Sequence, residues 1–584
     1  MPLKNIRAVF APLTRLFSVA PRIAGRGCPG SYQRTRSIRA EKIPRSFNWV
    51  SSPCGPIQVF KTLLPVAQAY FFPPHSARFE AVPRCEPQLP RIRRVRRPAL
   101  RTLSALAFLS LVGCAVGPKY QKAGVPTPPS WSAEAPWRAA EPKDGIPKGS
   151  WWSLYQDPIL DQFEKQALDA NQSIALATTR VQQARDLARV QVAGMFPSLS
   201  GGANAERQRL SGNRPAVGTT VPTTAITENV FQIPFQLNYE VDLFGRVHHN
   251  VEAANAQYQA PAADLENVRL LITSELAADY FTLRELDAEI GDVQQAISYD
   301  DKGLTLVQNR HAGGVASGLD VAQQETVLDA ARAQLHLLQQ QRATFEHAIA
   351  TLAGASASTF HVTAAALSAQ PPAVPLGVPA DVLERRPDIA EAERQMASAN
   401  AQIGVAESAF YPSIFLSGGG GLNSADIAKL ISAPSTFWSL GISAAETVFA
   451  GGRIHAQVDF AKAGYQGSVA GYRNTVLAAF QQVEDGLSGL TTLADAAASQ
   501  QKAVEDSQRY LTIANDRYVG GLVTYLDVIT AEQTLLTNQR LATQILGQRL
   551  LTSVFLVKAL GGGWDRKDID ALQVRPSAKS VVQQ

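Results

Sequence analysis

Residues 309–335 read NRHAGGVASGLDVAQQETVLDAARAQL, and residues 516–542 read DRYVGGLVTYLDVITAEQTLLTNQRLA. Eight of these 27 positions are identical at a constant offset of 207: Arg310/Arg517, Gly313/Gly520, Gly314/Gly521, Leu319/Leu526, Asp320/Asp527, Val321/Val528, Glu325/Glu532 and Leu328/Leu535. Self-similarity at a fixed spacing marks an internal repeat. The same offset pairs Gly245-Arg246 with Gly452-Arg453, and Gly354 with Gly561. Upstream, Phe196-Pro197-Ser198 pairs with Tyr411-Pro412-Ser413 at an offset of 215, so the first copy carries eight extra residues. They fall in the Gly/Pro/Thr-rich stretch 211–227, which reads as a loop. The body is expected to be a tandem duplication, 157–354 and 372–561, with a linker at 355–371 and a tail at 562–584.

Each copy has the same order. A helical segment leads to the Phe/Tyr-Pro-Ser motif. Two strands follow, then a very long helix, a Gly-Gly turn and a returning helix. The clearest strand is 231–244, where Phe231, Ile233, Phe235, Leu237, Tyr239, Val241 and Leu243 alternate with Gln232, Gln236, Asn238, Glu240 and Asp242. Alternation this long predicts one lipid-facing and one wet face. The counterpart in copy two is 438–449, and 199–205 and 414–422 read as companion strands with small residues outward. Four strands cannot close a membrane barrel, for which about eight is the minimum, and lipid tolerates no open sheet edge. A chain with four such strands must complete its barrel with other copies of itself.

The helices carry a heptad rhythm. Val321, Leu328, Leu335 and Ile349 form one set, and Ala331, Leu338, Phe345 and Leu352 the other, broken by Gln324 and Arg342. Helix is predicted from Gly245 to about Arg310, roughly 100 Å long. Pro261 within it predicts a kink, a break, or two helices end to end. Gly313-Gly314 and Gly520-Gly521 permit φ > 0 and mark hairpin tips.

The 584-residue chain is 45% apolar, which rules out wholesale disorder. Its four Cys (28, 54, 85 and 114) rule out a disulfide scaffold. Residues 1–113 carry 19 Lys and Arg against Glu41, Glu80 and Glu86 alone, while the remainder carries 36 basic and 47 acidic residues. The formal net charge of +5 thus hides a basic head and an acidic body, and argues for no nucleic-acid partner. Residues 1–90 are patternless and are expected not to belong to the mature protein, consistent with an upstream gene-model extension. Residues 91–113 read as a signal peptide: RIRRVRR, then the short apolar run LSALAFLSLV. It ends in Leu111-Val112-Gly113-Cys114, which resembles a bacterial lipobox, cleaved before the Cys whose thiol is then acylated. Residues 114–156 would form a lipid-anchored, Pro-rich segment. Ala115, where a retention signal would place Asp, implies outer-membrane sorting.

These features together resemble the outer-membrane factor family, the TolC-like exit ducts of tripartite efflux pumps. The nearest likeness is to the lipoprotein branch serving resistance-nodulation-division pumps. The motifs are Cys114 through Pro118-Lys119-Tyr120 with the lead to Trp131, Trp151-Trp152, Asp157-Pro158, Arg385-Arg386-Pro387-Asp388-Ile389, Phe410-Tyr411-Pro412-Ser413, Phe449 through Gly452-Arg453, and Arg517-Tyr518 through Leu526-Asp527-Val528. The resemblance covers Cys114 to about Trp564. It implies an α+β membrane protein: a homotrimeric 12-stranded β-barrel, four strands per chain, continued by a periplasmic α-helical coiled-coil barrel. It implies a periplasmic membrane-fusion adaptor and an inner-membrane pump as partners, and places the hairpin tips at the periplasmic entrance. By that match Tyr518, Tyr525, Leu526 and Asp527 line or latch the aperture, with Asp320 as partner. Some relatives carry a further acid where this chain has Thr530.

The residues suggest no enzyme. The histidines form no metal-spaced cluster with Cys or carboxylates, and no Walker loop or nucleophile elbow is present. Gly418–Gly421 lies between strands, not before a helix, and is a poor phosphate loop. No cofactor is expected beyond a covalent lipid on Cys114. The leading expectation is a passive conduit for drugs or other small molecules. The alternatives are a duct for type I protein secretion or metal efflux and, in a different class, a lipid-anchored periplasmic coiled-coil scaffold without a pore. An Asp in a first helical turn also has an ordinary role as a cap.

Overall fold

The computed structural model describes residues 115–131, 149–213, 224–373 and 379–575. After a short 3-10 turn at Trp151–Tyr155, the first half runs α1 (Pro158–Ala170), α2 (Gln172–Ala193), β1 (Ser198–Gly201), β2 (Asn204–Leu210), β3 (Ile226–Val241), α3 (Arg246–Ala312) and α4 (Gly318–Leu352). The second runs α5 (Pro379–Arg385), α6 (Pro387–Ser408), β4 (Ser413–Ser424), β5 (Thr436–Ala445), α7 (Arg453–Val519), α8 (Tyr525–Ala559) and the short α9 (Lys567–Asp570). Helices α3 and α7 are 67 residues each, and α4 and α8 are 35 each. Asp157 caps α1 by accepting from Ile159 N and Leu160 N, and its other oxygen accepts the Tyr280 hydroxyl at 2.6 Å. Asn171 caps α2 and donates to the Leu352 carbonyl, tying the start of the half to its end.

Pro261 does not divide the long helix. α3 is continuous from Arg246 to Ala312. An internal proline costs about 3 kcal/mol through a lost hydrogen bond and a ring clash. Here it is flanked by the buried Ala260, Ala262 and Ala263, in a helix that packs against both α2 and α6. Tertiary packing offsets that cost, and the segment stays one helix.

The heptad positions lie where the rhythm places them: Leu328, Leu338 and Ile349 are buried. The two polar interruptions are ties to α3. Gln324 donates to the Asp300 carbonyl and Oδ1 at 3.0 and 3.1 Å. Arg342 donates Nε to Asp287 at 2.6 Å and Nη2 to the Val362 carbonyl at 2.6 Å. Arg284 reaches the Thr363 carbonyl, so the linker is strapped across the helices by buried guanidiniums. The main core lies at this level, where Trp151, Trp152, Tyr155, Tyr280, Phe281 and Tyr472 are packed together. Burying several aromatics at one level gives the long, thin helices a rigid waist.

The strands form one antiparallel sheet in the order β1–β3–β4–β5, with β2 also on β3. The four expected passes are present, with shifted limits. The first companion strand is interrupted at Gly202-Ala203 and resumes as β2. The principal strand starts at Ile226 and ends at Val241, leaving Leu243 and Phe244 outside. The copy-two strand ends at Ala445, short of Val448 and Phe449. The interruption faces Pro234, which has no N–H to offer the ladder and whose carbonyl accepts from Gly202 N at 3.0 Å. On the other side Pro234 lies opposite Gly421, at φ 153, where a Cβ would collide with the Ile233 carbonyl. Part of the Gly418–Gly421 run is thus an accommodation for a proline in a central strand.

Candidate functional site

The tips are built alike. Gly314 and Gly521 adopt φ 76 and 72, while Gly313 and Gly520 stay right-handed, so only the second glycine of each pair needs its freedom. Val315 N reaches the Arg310 carbonyl at 2.8 Å and Leu522 N the Arg517 carbonyl at 2.9 Å, the Schellman closure of both helices. The returning helices open with capping boxes. Asp320 Oδ2 accepts from Ser317 N and Oγ at 2.8 and 2.9 Å; Asp527 Oδ2 accepts from Thr524 N and Oγ1 at 3.0 and 2.8 Å. Each Asp therefore serves its own helix, a role worth about 1 kcal/mol.

Tyr518 and Tyr525 are not on an open surface. Both are buried with Val307, Val528 and Ile529, their ring centroids 5.1 Å apart. The Arg310 guanidinium from the first hairpin lies 4.6 Å from the Tyr518 ring centre. The Tyr525 hydroxyl lies over Gly303, where any Cβ would collide with it. Burial holds the Tyr525 hydroxyl protonated, well above its ordinary range. The second tip is thereby locked onto the first within one chain. Leu526 is exposed. Arg310 and Gly303 are partners the sequence reading missed. Arg310 belonged to the repeat signature, but nothing in sequence links it to a tyrosine more than 200 residues away.

At the other end, the sheet register gathers one apolar face. Leu237 stands beside Leu199 and Gly418, and Gly418 beside Leu440. Phe235 stands beside Gly201 and Gly420, with Trp438 next; Tyr239 stands beside Leu416, with Ile442 next. Glycines thus alternate with large side chains across the band, giving the latter room. Phe231 and Ile233 continue the face toward the loop, beside Ala205 and Leu422. Beyond the band the same face carries Arg207 and Arg209. The opposite face pairs Ser198–Asn238–Ser417 and Asn204–Gln232–Asn423, with Phe415 as an apolar exception. On β5, Trp438, Leu440 and Ile442 are 79, 81 and 73% exposed. Among the described residues, neither β1/β2 nor β5 pairs on its outer edge.

Cys114 lies outside the described residues. Its neighbour Ala115 packs against Gly245, where a Cβ would meet it at 2.9 Å. Val116 N donates to the Phe244 carbonyl at 3.1 Å, and the His249 ring bridges the Val116 carbonyl and Glu252 at 3.0 and 3.1 Å. The chain after Cys114 is therefore fastened at the junction of β3 and α3, beside the end of the apolar band.

Paired helical hairpins, an aromatic waist and a sheet with an apolar band across one face define the chain of an outer-membrane channel. The sequence profile of the outer membrane efflux protein family matches residues 164–355 and 378–562. The chain belongs to the outer membrane efflux protein family. It is 30% identical over 470 residues to the solvent efflux pump outer membrane protein SrpC of Pseudomonas putida, covering 80% of this chain and 98% of that one. It is 30% identical over 484 residues to the outer membrane protein OprJ of Pseudomonas aeruginosa, covering 81% and 97%. The open-state outer membrane channel MtrE of Neisseria gonorrhoeae aligns with a TM-score of 0.68 at 26% identity, covering 78% of this chain and 99% of that one. The Campylobacter jejuni channel CmeC, at 22% identity, shares the fold with a TM-score of 0.73, covering 80% and 98%. The protein is an outer-membrane efflux channel, a component of an efflux pump system, and not an enzyme.

Proposed function

We propose that three copies of this chain close a 12-stranded barrel in the outer membrane, and that their hairpins form a coiled-coil duct into the periplasm. The observation that carries this is the four-pass sheet with an apolar band in register and both edges unpaired among the described residues. Lipid tolerates no such edges, and pairing β5 of one copy with β1/β2 of the next removes them. The duplication, with equal helix lengths in both halves, supplies each subunit with two matching pairs of wall helices. Cargo is drugs or other small molecules, and relatives named for solvent and toluene efflux make apolar organics the first class to test. Transport through the channel is passive; energy comes from an inner-membrane resistance-nodulation-division pump through an adaptor docked on the tips. The tips that Asp320 and Asp527 cap border the aperture with the exposed Leu526, and Tyr518 and Tyr525 latch it by locking the second tip onto the first. Acylation of Cys114 anchors the mature N-terminus, a reading supported by where Ala115 and Val116 are fastened. Heat-resistant trimers in detergent and single-channel conductance test the assembly. Arg at Leu237 should cost about 2–4 kcal/mol of assembly, while Arg at Asn238 is tolerated. Equal defects in the two would overturn the membrane assignment. Cys114→Ala should abolish lipid labelling and leave folded trimer.

A further inference from the structure

Between the two hairpins of one chain lies a cavity of about 460 Å³, walled by α3, α4, α7 and α8. That is the size of a small-molecule site. Asp292 and Asp300 of α3 and Glu532 of α8 line it, opposite Tyr299, Leu511 and Leu535. Among the described residues no Lys, Arg or His lines it. Glu532 Oε2 is buried and has no hydrogen-bond partner. Asp300 is held by Gln324, a fully buried side chain whose own Oε1 is also unpartnered. The cavity therefore holds one buried carboxylate oxygen without a partner, and the donors around it are the neutral side chains of Gln, Asn, Thr and Tyr. Among the described residues no three His, Cys, Asp or Glu are grouped to share a metal ion.

We propose that this cavity binds an organic cation with an apolar body, its charged head between Glu532 and Asp300 and its body against Leu511, Leu535 and Tyr299. The ligand supplies the positive charge that the lining lacks, and the apolar wall selects against hydrated inorganic ions. Asp300 belongs to the first hairpin and Glu532 to the second, so an occupant ties the hairpins together. Occupancy stabilises this arrangement by mass action. The site does not depend on the channel being trimeric.

Burial, with Asp300 beside it, raises Glu532 to about 7. Asp300 from α3 and Tyr525 from its own helix act on it, and Asp292 from α3 lines the same cavity; burial also raises Asp292 and Asp300. The cavity walls from α7 and α4 present neutral groups: Gln508, Thr512 and Asn515, and Gln334. Binding should therefore strengthen as pH rises from 6 to 8 and Glu532 ionises. The test is equilibrium dialysis of benzyltrimethylammonium against the purified full-length protein in detergent. Saturable binding is expected, about tenfold weaker in Glu532→Gln, with a shallower pH dependence in that variant. Leu511→Trp fills the apolar half without touching a carboxylate and should abolish binding. Absence of saturable binding to the unmodified protein overturns the proposal. So does unchanged affinity in both variants, each checked as folded by circular dichroism.

Discussion

The first tip, 310–320, and the second, 517–527, share the same Schellman closure, the same left-handed glycine and the same capping box, yet they do opposite jobs. At the 207-residue offset, Tyr518 stands where the first tip has His311, and Tyr525 where it has Gly318. His311 only bonds the Ala316 carbonyl within its own turn, at 2.9 Å. The two tyrosines instead cross to the other hairpin, meeting Arg310 and the space over Gly303. Gly303 corresponds in turn to the half-exposed Tyr510, so the receiving surface is also specific to one copy. The repeated residues set a backbone shape. The residues that differ turn two similar hairpins into an insert and a receptor.

The strongest way to break that contrast is to empty the insert. Tyr525→Ala should cost about 3–5 kcal/mol of hairpin stability, because a buried aromatic leaves a cavity. His311→Ala, at an exposed position, should cost under about 1 kcal/mol. Thermal unfolding of both variants measures the difference, and equal losses would mean that the tips are interchangeable.

A smaller effect sharpens what the tips share. Asp320→Ala and Asp527→Ala each remove a capping-box acceptor and should each cost about 0.5–2 kcal/mol, without preference between copies. Conductance with and without a divalent cation then separates two roles. Loss of block in Asp527→Ala assigns it to the aperture, whereas unchanged block leaves it as a cap.

The smallest expected effect is a slope with pH. Glu532 is raised by burial from its ordinary 4.5 to about 7, while its repeat partner Glu325 is exposed. A carboxyl raised in the folded state binds its proton more tightly there than when unfolded. Its contribution is therefore largest at low pH and is lost as pH rises from about 4.5 to about 7. Glu532→Gln should flatten that part of the stability profile, and Glu325→Gln should not. Matching slopes in the two variants would assign the titration to another group.

Much of this architecture was legible in the sequence. The duplication signal, the alternating strand, the tip glycines and the heptads are local patterns, and a local pattern reflects the backbone period and the side of the element that is buried. The same logic kept Pro234 inside the strand but left a break open at Pro261, where the helix is continuous. Pro261 lies within a helix and Pro234 within a central strand, because Ala260, Ala262 and Ala263 pack around one and Gly421 and the Gly202 break make room for the other. Propensity is a weak local term that tertiary contacts override.

The sequence by itself determined the repeated order of helices and strands, the two-faced sheet and the two turns at which the hairpins reverse. Each follows from covalent geometry and from side-chain period over a few residues. Only the tertiary structure decided that Tyr518 and Tyr525 are buried against Arg310 and Gly303. It also decided that Glu532 shares a cavity with Asp300. These pairs lie on different helices far apart in the chain. Their contacts depend on how four long helices are rotated against one another, a quantity to which hundreds of residues contribute and which no short stretch encodes.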